Sequence, residues 1–235
     1  MRMRLNKFLA RAGIASRRKS DELIQMATTT VNGKVCLDPA YKVDLKDSIC
    51  FDGKKVVVDS KKVVLMLNKP KKVITTVKDT HGRKTVMDFV PSKLRLTPVG
   101  RLDQNTTGLL LLTNDGDLQQ YLTHPKNKVP KDYEVSIEGK IDMKNIQKLK
   151  SGIYIGYKEY GKGEVLEQKT IKGRSKIIFR MKQGKKREIR RIFHRLNKKL
   201  ISLKRIGYAS VKLGNLSEGE CRQLTKNEIN DLYQI

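Results

Sequence analysis

The apolar positions change rhythm several times along the chain, and each change marks an element. Leu5, Phe8, Leu9 and Ala12 recur at helical spacing, and Gly13 stands where that helix should end. Ser16 is placed to cap a second helix, with Lys19 at its N3 position and Leu23, Ile24 and Ala27 as its apolar face. Residues 30–35 then read as a short hairpin turning at Asn32-Gly33. Residues 48–51 and 55–58 read as two more strand pieces joined by the Asp52-Gly53 turn. Together these predict a small separate domain over residues 1–60. The composition shifts at Ser60-Lys61-Lys62.

From Val63 the pattern predicts a larger domain, residues 63–235. Residues 63–67 form a buried-strand candidate ended by Asn68-Lys69-Pro70, and residues 73–77 another. Residues 109–113 are a continuous apolar strand stopped by Asn114-Asp115-Gly116, after which Asp117 is placed to cap a helix running toward Leu122. Residues 133–137 alternate as a half-buried strand does. A helix over 143–149 and a strand over 176–181 follow, and Gly161-Lys162-Gly163 reads as a turn. Ile189, Ile192, Phe193 and Leu196 give residues 188–196 helical periodicity. Strand pieces at 200–203 and 209–213 and a closing helix from Lys226 complete the domain. Strands and helices mix without a strict βαβ rhythm, so the expected class is α+β with a mixed, largely antiparallel sheet and flanking helices.

Charge adds a partner to this picture. The chain has 235 residues, with 51 Lys and Arg against 24 Asp and Glu, a net charge of +27. With 38% hydrophobic residues it can bury a sizeable core, which argues against wholesale disorder. The default partner of so basic a fold is a polyanion, nucleic acid first and an acidic membrane surface second. The excess is uneven. Residues 171–210 hold fifteen basic residues and the single acid Glu188, about half of the net charge. A helix carrying Arg187, Arg190, Arg191 and Arg195 against one acid repels itself unless an anion is near.

Several chemistries are disfavoured. No apolar run approaches the ~18 residues of a membrane span, and the basic N-terminus lacks the apolar stretch and cleavage site of a signal peptide. The cysteines, Cys36, Cys50 and Cys221, are odd in number and far apart, which favours a reducing, cytoplasmic compartment over a disulfide framework or zinc finger. His81, His124 and His194 stand alone, so no metal site is expected. Gly184-Lys185 lacks the earlier glycine and the hydroxyl of a phosphate loop, and no serine or cysteine sits in a nucleophile elbow. What stays open is cofactor-free chemistry on bound nucleic acid. The segment from Gly100 to Gly108 carries one carboxylate, Asp103, inside a polar stretch bounded by glycines that permit tight turns and close backbone approach. Arg101 lies two residues away. Such an Asp, ionised and short of water, can act as nucleophile or base, or it can cap a turn or pair with an arginine.

The run GRLDQNTTGLLLLTNDG, residues 100–116, resembles the central motif of the RsuA-type pseudouridine synthases, close to the RluB and RluF kinds, which isomerise a single uridine in ribosomal RNA. Leu67-Asn68-Lys69-Pro70, His124-Pro125 and Lys131-Asp132-Tyr133-Glu134-Val135 resemble further elements of that family. So do residues 184–191, with Arg187-Glu188-Ile189-Arg190-Arg191, and the later segments 202–205 and 219–222. The N-terminal LNKFLARAGIASRRKSDELI and VNGK resemble the S-four-like RNA-binding domain. Departures are few: Asn197 stands where the family often has Gly, Cys221 where an aromatic is common, and residues 27–30 lack the usual glycine before the small domain's hairpin.

The resemblance implies a site. Asp103 matches the catalytic aspartate, and Arg101 the residue that fills the space left by the flipped base. Tyr133 matches the aromatic that stacks on the uracil, Ile189 an apolar wall, and Arg190 the cation paired with the aspartate. Lys7, Arg17, Arg18 and Asn32 match the RNA-facing side of the small domain, and Arg187 and Arg191 extend the basic surface around the site. Lys69 reads as a strand closer. No metal or cofactor is implied, the expected partner is ribosomal RNA or a ribosome assembly intermediate, and nothing demands more than a monomer. The large subunit is favoured over the small. The alternatives are a non-catalytic RNA-binding assembly factor that keeps the scaffold and, more weakly, a DNA-binding protein.

Overall fold

The computed structural model describes residues 2–44, 46–58, 61–91 and 95–234; Ser60, at the expected boundary, lies outside them. The chain divides into two compact units, residues 1–62 and 63–235.

In the smaller unit, strand β1 (Met3–Arg4) leads into helices α1 (Leu5–Arg11) and α2 (Arg17–Gln25). Strands β2 (Thr29–Val31), β3 (Lys34–Val35), β4 (Lys42–Val43), β5 (Ile49–Phe51) and β6 (Lys54–Lys55) follow. The order β3-β2-β5-β6 is antiparallel throughout, and β1 pairs with β4. Leu5, Phe8, Leu9, Ile24, Val31, Val43 and Ile49 make its core. The Ser16 hydroxyl accepts from the Lys19 amide at 3.2 Å, the cap that the spacing predicts. Asn32 (φ +52°) and Gly33 (φ +80°) adopt the left-handed pair a tight hairpin requires, so the departure at 27–30 leaves the hairpin intact. Ala27 corrects the expected helix face. It is exposed, at φ +59°, beyond the end of α2. The Thr28 hydroxyl donates to the Leu23 carbonyl at 2.7 Å and closes the helix there.

The larger unit is built on a sheet of strands β7 (Val64–Lys69), β9 (Thr107–Thr113), β10 (Lys131–Glu138), β13 (Glu164–Ile171), β14 (Arg174–Met181), β15 (Leu200–Tyr208) and β17 (Cys221–Gln223). Among the described residues their order is β13-β14-β10-β15-β9-β7-β17. Short strands β8 (Thr97–Pro98) and β16 (Val211–Lys212) add to β9 and β15. Among the described residues of this sheet, β9 and β15 pair in parallel and the other strand pairings are antiparallel. Helices cover both faces. α4 (Met143–Ser151) and α5 (Glu188–Arg195) bring Leu149, Ile192 and Phe193 against Leu110, Leu112, Val135 and Phe179. α3 (Gly116–Thr123) and α6 (Lys226–Tyr233) bring Leu118, Leu122 and Leu232 against Leu109 and Leu111. β9 is therefore buried on both faces, which is why its sequence is an unbroken run of leucines rather than an alternation.

Gly108 makes the parallel pairing possible. A Cβ there would lie 2.2 Å from the Arg205 carbonyl oxygen, and its φ of +100° favours glycine independently. Asn197, at φ +53°, takes the left-handed conformation for which the family often uses Gly.

Three expectations in this unit need correction, and one strand was not foreseen. Residues 73–77 are not a strand: Ile74 makes a single bridge to Thr85, and the neighbouring backbone bonds run to two different loops, at Lys84 and Gln104. The cap of α3 is Asp115, not Asp117. The Asp115 carboxylate accepts from the Asp117 and Leu118 amides at 3.0 and 3.3 Å, because Asp115 is still extended while Asp117 is already in the first turn. Gly161-Lys162-Gly163 is not merely a turn. Gly161 ends strand β12 (Glu159–Gly161), which pairs with β11 (Ile153–Gly156). A Cβ on Gly161 would meet Ile192 at 2.7 Å and one on Gly163 would meet Phe179 at 2.1 Å, so both glycines are there for close packing. The long strand β13 was not anticipated; its pattern of mostly exposed positions carries no apolar period.

Candidate active site

Asp103 lies in the loop 100–106 between β8 and β9, and three separate elements hold that loop. From β7, the Lys69 side chain is wholly buried and its ammonium donates to the carbonyls of Pro70 (2.9 Å), Gln104 (3.3 Å) and Thr106 (3.0 Å). From the segment after β7, the Thr75 hydroxyl donates to the Leu102 carbonyl at 2.8 Å and accepts from the Leu102 amide at 3.2 Å. From α5, Arg190 Nη2 donates to the Asn105 carbonyl and the Thr106 hydroxyl, both at 3.2 Å. Within the loop, the Thr106 amide donates to the Asp103 carbonyl at 3.0 Å.

This leaves the Asp103 carboxylate facing Arg190, with Nε 3.6 Å from Oδ2. That Nε is shut off from solvent and has no hydrogen-bond partner of its own. The carboxylate keeps 37% of its side-chain surface exposed, so it is aimed by a cation and still reachable from outside. What it can reach is a cavity of about 910 Å³. Arg101 and Leu102 line it beside Asp103, Tyr133 from β10, and Ile189 and Arg190 from α5. Tyr133 is 8% exposed and Ile189 5%, so both belong to the apolar core as well as to the cavity wall. Arg101 is exposed.

A second group of buried charges lies on the cavity wall. Lys131 donates to the Val129 carbonyl at 2.9 Å, and burial, with Arg205 nearby, pushes its ammonium down to about 8. Arg205 is fully buried, donates from Nε to the Leu109 carbonyl at 2.7 Å, and rests 4.9 Å from the Tyr208 ring centre. Burial pushes the Tyr208 hydroxyl up to about 12, and that hydroxyl donates to the Leu122 carbonyl at 2.9 Å. Glu188 is buried at the start of α5, where it accepts from the Lys185 amide at 2.9 Å; burial raises its carboxyl above the usual range. Lys69 is likewise pushed down to about 8 by burial, although nearby Glu218 and Asp103 pull the other way.

The structure thus brings Arg101, Asp103, Tyr133, Ile189 and Arg190 to one cavity, and Arg187 lines it too. Arg191 does not. Its donors go to the Ile155 and Gly156 carbonyls (2.9 and 2.8 Å) and the Glu159 carboxylate (2.6 Å), so it holds the β11–β12 hairpin beside the cavity rather than lining the cavity itself. One residue further along an α-helix turns the side chain by about 100°, so Arg190 and Arg191 serve different neighbours. Arg17 and Arg18 are exposed on α2 and Lys7 is half-buried on α1. Asn32 is exposed in the hairpin turn. Its side-chain amide donates to Asp47 (3.0 Å) and accepts from the Ser48 backbone amide (2.8 Å), which ties the hairpin to the loop 47–48.

Sequence reasoning missed Lys69 as more than a strand closer, and it missed Thr75. A lysine at the end of an apolar strand was the available signal, since such a position leaves its charge to be buried and therefore bonded.

Known proteins match this chain along nearly its whole length. Residues 63–195 match the family model described as RNA pseudouridylate synthase, and residues 3–49 match the S4 domain. The ribosomal large subunit pseudouridine synthase B of Bacillus subtilis (strain 168) is 39% identical over 235 residues, 99% of this chain and 96% of that protein. An uncharacterized RNA pseudouridine synthase of Aquifex aeolicus (strain VF5) is 37% identical over 238 residues, 100% of this chain and 95% of that protein. A crystal structure of a pseudouridylate synthase superposes with a TM-score of 0.69 at 27% identity, over 98% of this chain and 99% of that one.

Proposed function

The chain belongs to the RNA pseudouridylate synthase family, and from that premise we propose that it converts one uridine of large-subunit ribosomal RNA to pseudouridine, with Asp103 as the catalytic carboxylate. The observation that carries this reading is the Asp103–Arg190 pair, 3.6 Å apart, on the wall of a cavity also lined by Tyr133 and Ile189. The large subunit is supported by the Bacillus subtilis relative, whose name specifies it.

The reaction breaks the bond between uracil N1 and the ribose, turns the base, and rejoins it through C5. Nothing is added or lost, so the site needs no co-reactant. It must admit an extruded base, hold it, and place an ionised carboxylate beside the ribose. Extrusion from folded RNA costs roughly a few kcal/mol. Stacking on Tyr133 returns about 1–3 kcal/mol, and Arg101 fills the vacated space in the RNA, a role supported by its exposure on the cavity lining. Ile189 closes the apolar side of the pocket. Arg190 faces the Asp103 carboxylate at 3.6 Å and aims it, while its bonds to Asn105 and Thr106 fix the loop. Arg17, Arg18 and Lys7 on the smaller unit, with Arg187 beside the cavity, supply phosphate contacts that position the RNA without reading its sequence.

The enzyme is read as a monomer acting on ribosomal RNA or an assembly intermediate. No helix among the described residues is long and apolar enough to cross a membrane, and Cys36, Cys50 and Cys221 are free thiols, which fits the cytoplasm. A pseudouridine map of ribosomal RNA from cells with and without this protein should differ at one large-subunit site. Purified D103N should abolish conversion while RNA affinity stays within about threefold of the wild type. Turnover by D103N at the wild-type rate would exclude the carboxylate mechanism, and a map with no lost site would favour the non-catalytic assembly factor.

A further inference from the structure

The hairpin of β11 and β12 gathers exposed aromatic side chains that the proposed chemistry does not use. Its strands are joined by a turn at Tyr157-Lys158, where both residues are left-handed, at φ +54° and +58°. Turns of this geometry are normally made with Asn, Asp or Gly, because a Cβ disfavours the left-handed region. Packing does not compensate: Tyr157 is 90% exposed. Tyr154 and Tyr160 sit directly opposite each other in the register, their rings 5.5 Å apart and edge to face, 46% and 56% exposed.

Cations stand behind the rings. The Arg191 guanidinium is 5.4 Å from the Tyr157 ring centre, and that of Arg195 is 5.7 Å from the Tyr154 ring centre. The hairpin is also firmly mounted, by the Arg191 bonds to Ile155, Gly156 and Glu159 and by the close approach of Gly161 to Ile192. It adjoins the cavity. β12 runs directly into Lys162, Gly163 and Glu164, which line it, and Lys185, also on the lining, donates to the Tyr160 carbonyl.

We propose that this hairpin is a stacking platform for unpaired RNA bases next to the target nucleotide. The proposal rests on reading the chain as an RNA-modifying enzyme and adds to it a surface that accepts the target's neighbours. Extruding one nucleotide from a loop leaves adjacent bases with open π-faces, and exposed aromatic rings accept any base in that state. The guanidiniums behind the rings attract both the bases and their phosphates. The one acid on the hairpin's strands and turn, Glu159, is paired with Arg191, so nothing there repels a polyanion. The strained turn is then explained by the side chain it presents.

The chain contains no tryptophan, so Y157W supplies a single fluorescent reporter. Its emission should be quenched by an RNA hairpin with an unpaired loop and not by a blunt RNA duplex of equal length. Y157A and the double variant Y154A/Y160A should each bind the loop RNA about tenfold more weakly, with the salt dependence unchanged because no phosphate contact is lost. Y157F should bind as the wild type does. Y157G separates binding from structure: glycine relieves the turn, so its melting temperature should rise while its RNA affinity falls about tenfold. Equal quenching by duplex, or alanine variants that bind loop RNA as tightly as wild type, would overturn the platform; the latter result would point to a protein surface instead. Wild-type protein that shows no salt-sensitive binding of loop RNA would overturn the RNA reading itself, and the platform with it.

Discussion

The loop that carries Asp103 and the hairpin that carries Tyr157 are anchored on consecutive arginines of α5, yet they are built for opposite ends. The loop is tied from within. Lys69, Thr75 and Arg190 reach it from three elements, and Lys69 is buried to do so. The hairpin is held along its inner side by Arg191, Lys185 and the packing of Gly161 on Ile192, and it turns its aromatic rings outward. Burying a lysine and pushing its ammonium down to about 8 is unfavourable in itself. It is tolerated where a carboxylate must be held in position, because misplacement by about 1 Å can cost on the order of 100-fold in rate. A stacking surface needs no such precision, since every base offers a π-face.

The largest effect that would break this contrast is expected at Lys69. K69M leaves the carbonyls of Pro70, Gln104 and Thr106 without their shared donor and should lose about 3 kcal/mol of stability together with about 100-fold in single-turnover rate. Denaturant melts and rapid-quench conversion at saturating RNA read the two losses separately. Wild-type values for both would mean that the loop is not held from β7. The neighbouring arginines sharpen the contrast at the next level. R190M should lower the rate by about 100-fold with RNA affinity nearly intact, whereas R191M should lower RNA affinity by about fivefold with a much smaller change in rate. If both variants moved rate and affinity together, the division of labour along α5 would be wrong.

The smallest effect is expected outside both regions. Glu228 pairs with Arg222 through two bonds, at 2.7 and 2.9 Å, and caps α6 with Thr225. The Arg222 guanidinium holds its carboxyl down at about 2. A carboxyl with a depressed folded-state value contributes stability that is complete above about pH 4.3 and is lost as pH falls toward that lower value. Melting temperature should therefore drop less between about pH 5 and pH 2 in E228Q than in the wild type. Conversion at neutral pH should match the wild type within about twofold.

Local chemistry made much of this legible. Ser16 caps α2 because a hydroxyl one residue ahead of a helix meets its free amides whatever lies farther off. Asn32-Gly33 and Asp52-Gly53 turn the chain for equally local reasons. The unbroken leucines of β9 announced a strand buried on both faces, and the glycine before them a close backbone approach. The resemblance of residues 100–116 drew attention to Asp103, and Arg101, Tyr133, Ile189 and Arg190 lie on the same cavity. Less visible were elements whose partners are distant. Residues 73–77 have strand-like residues but no strand beside them, so they run between two loops. β13 pairs with β14 through its backbone, and its side chains carry no apolar signal.

By itself, then, the amino-acid order determined where α2 and the two Asx-Gly turns begin, that the leucine run of β9 is buried, that the chain is strongly basic, and which carboxylate stands out. These follow from interactions within a few residues or from composition. Only the tertiary structure decided what the buried charges do. Lys69 meets Thr106 across 37 positions and Arg190 meets Asn105 across 85. Arg191, adjacent to Arg190, turns to a hairpin instead. A charge removed from water must find its partner wherever the fold places one, and that choice depends on three-dimensional proximity rather than on neighbours in the chain.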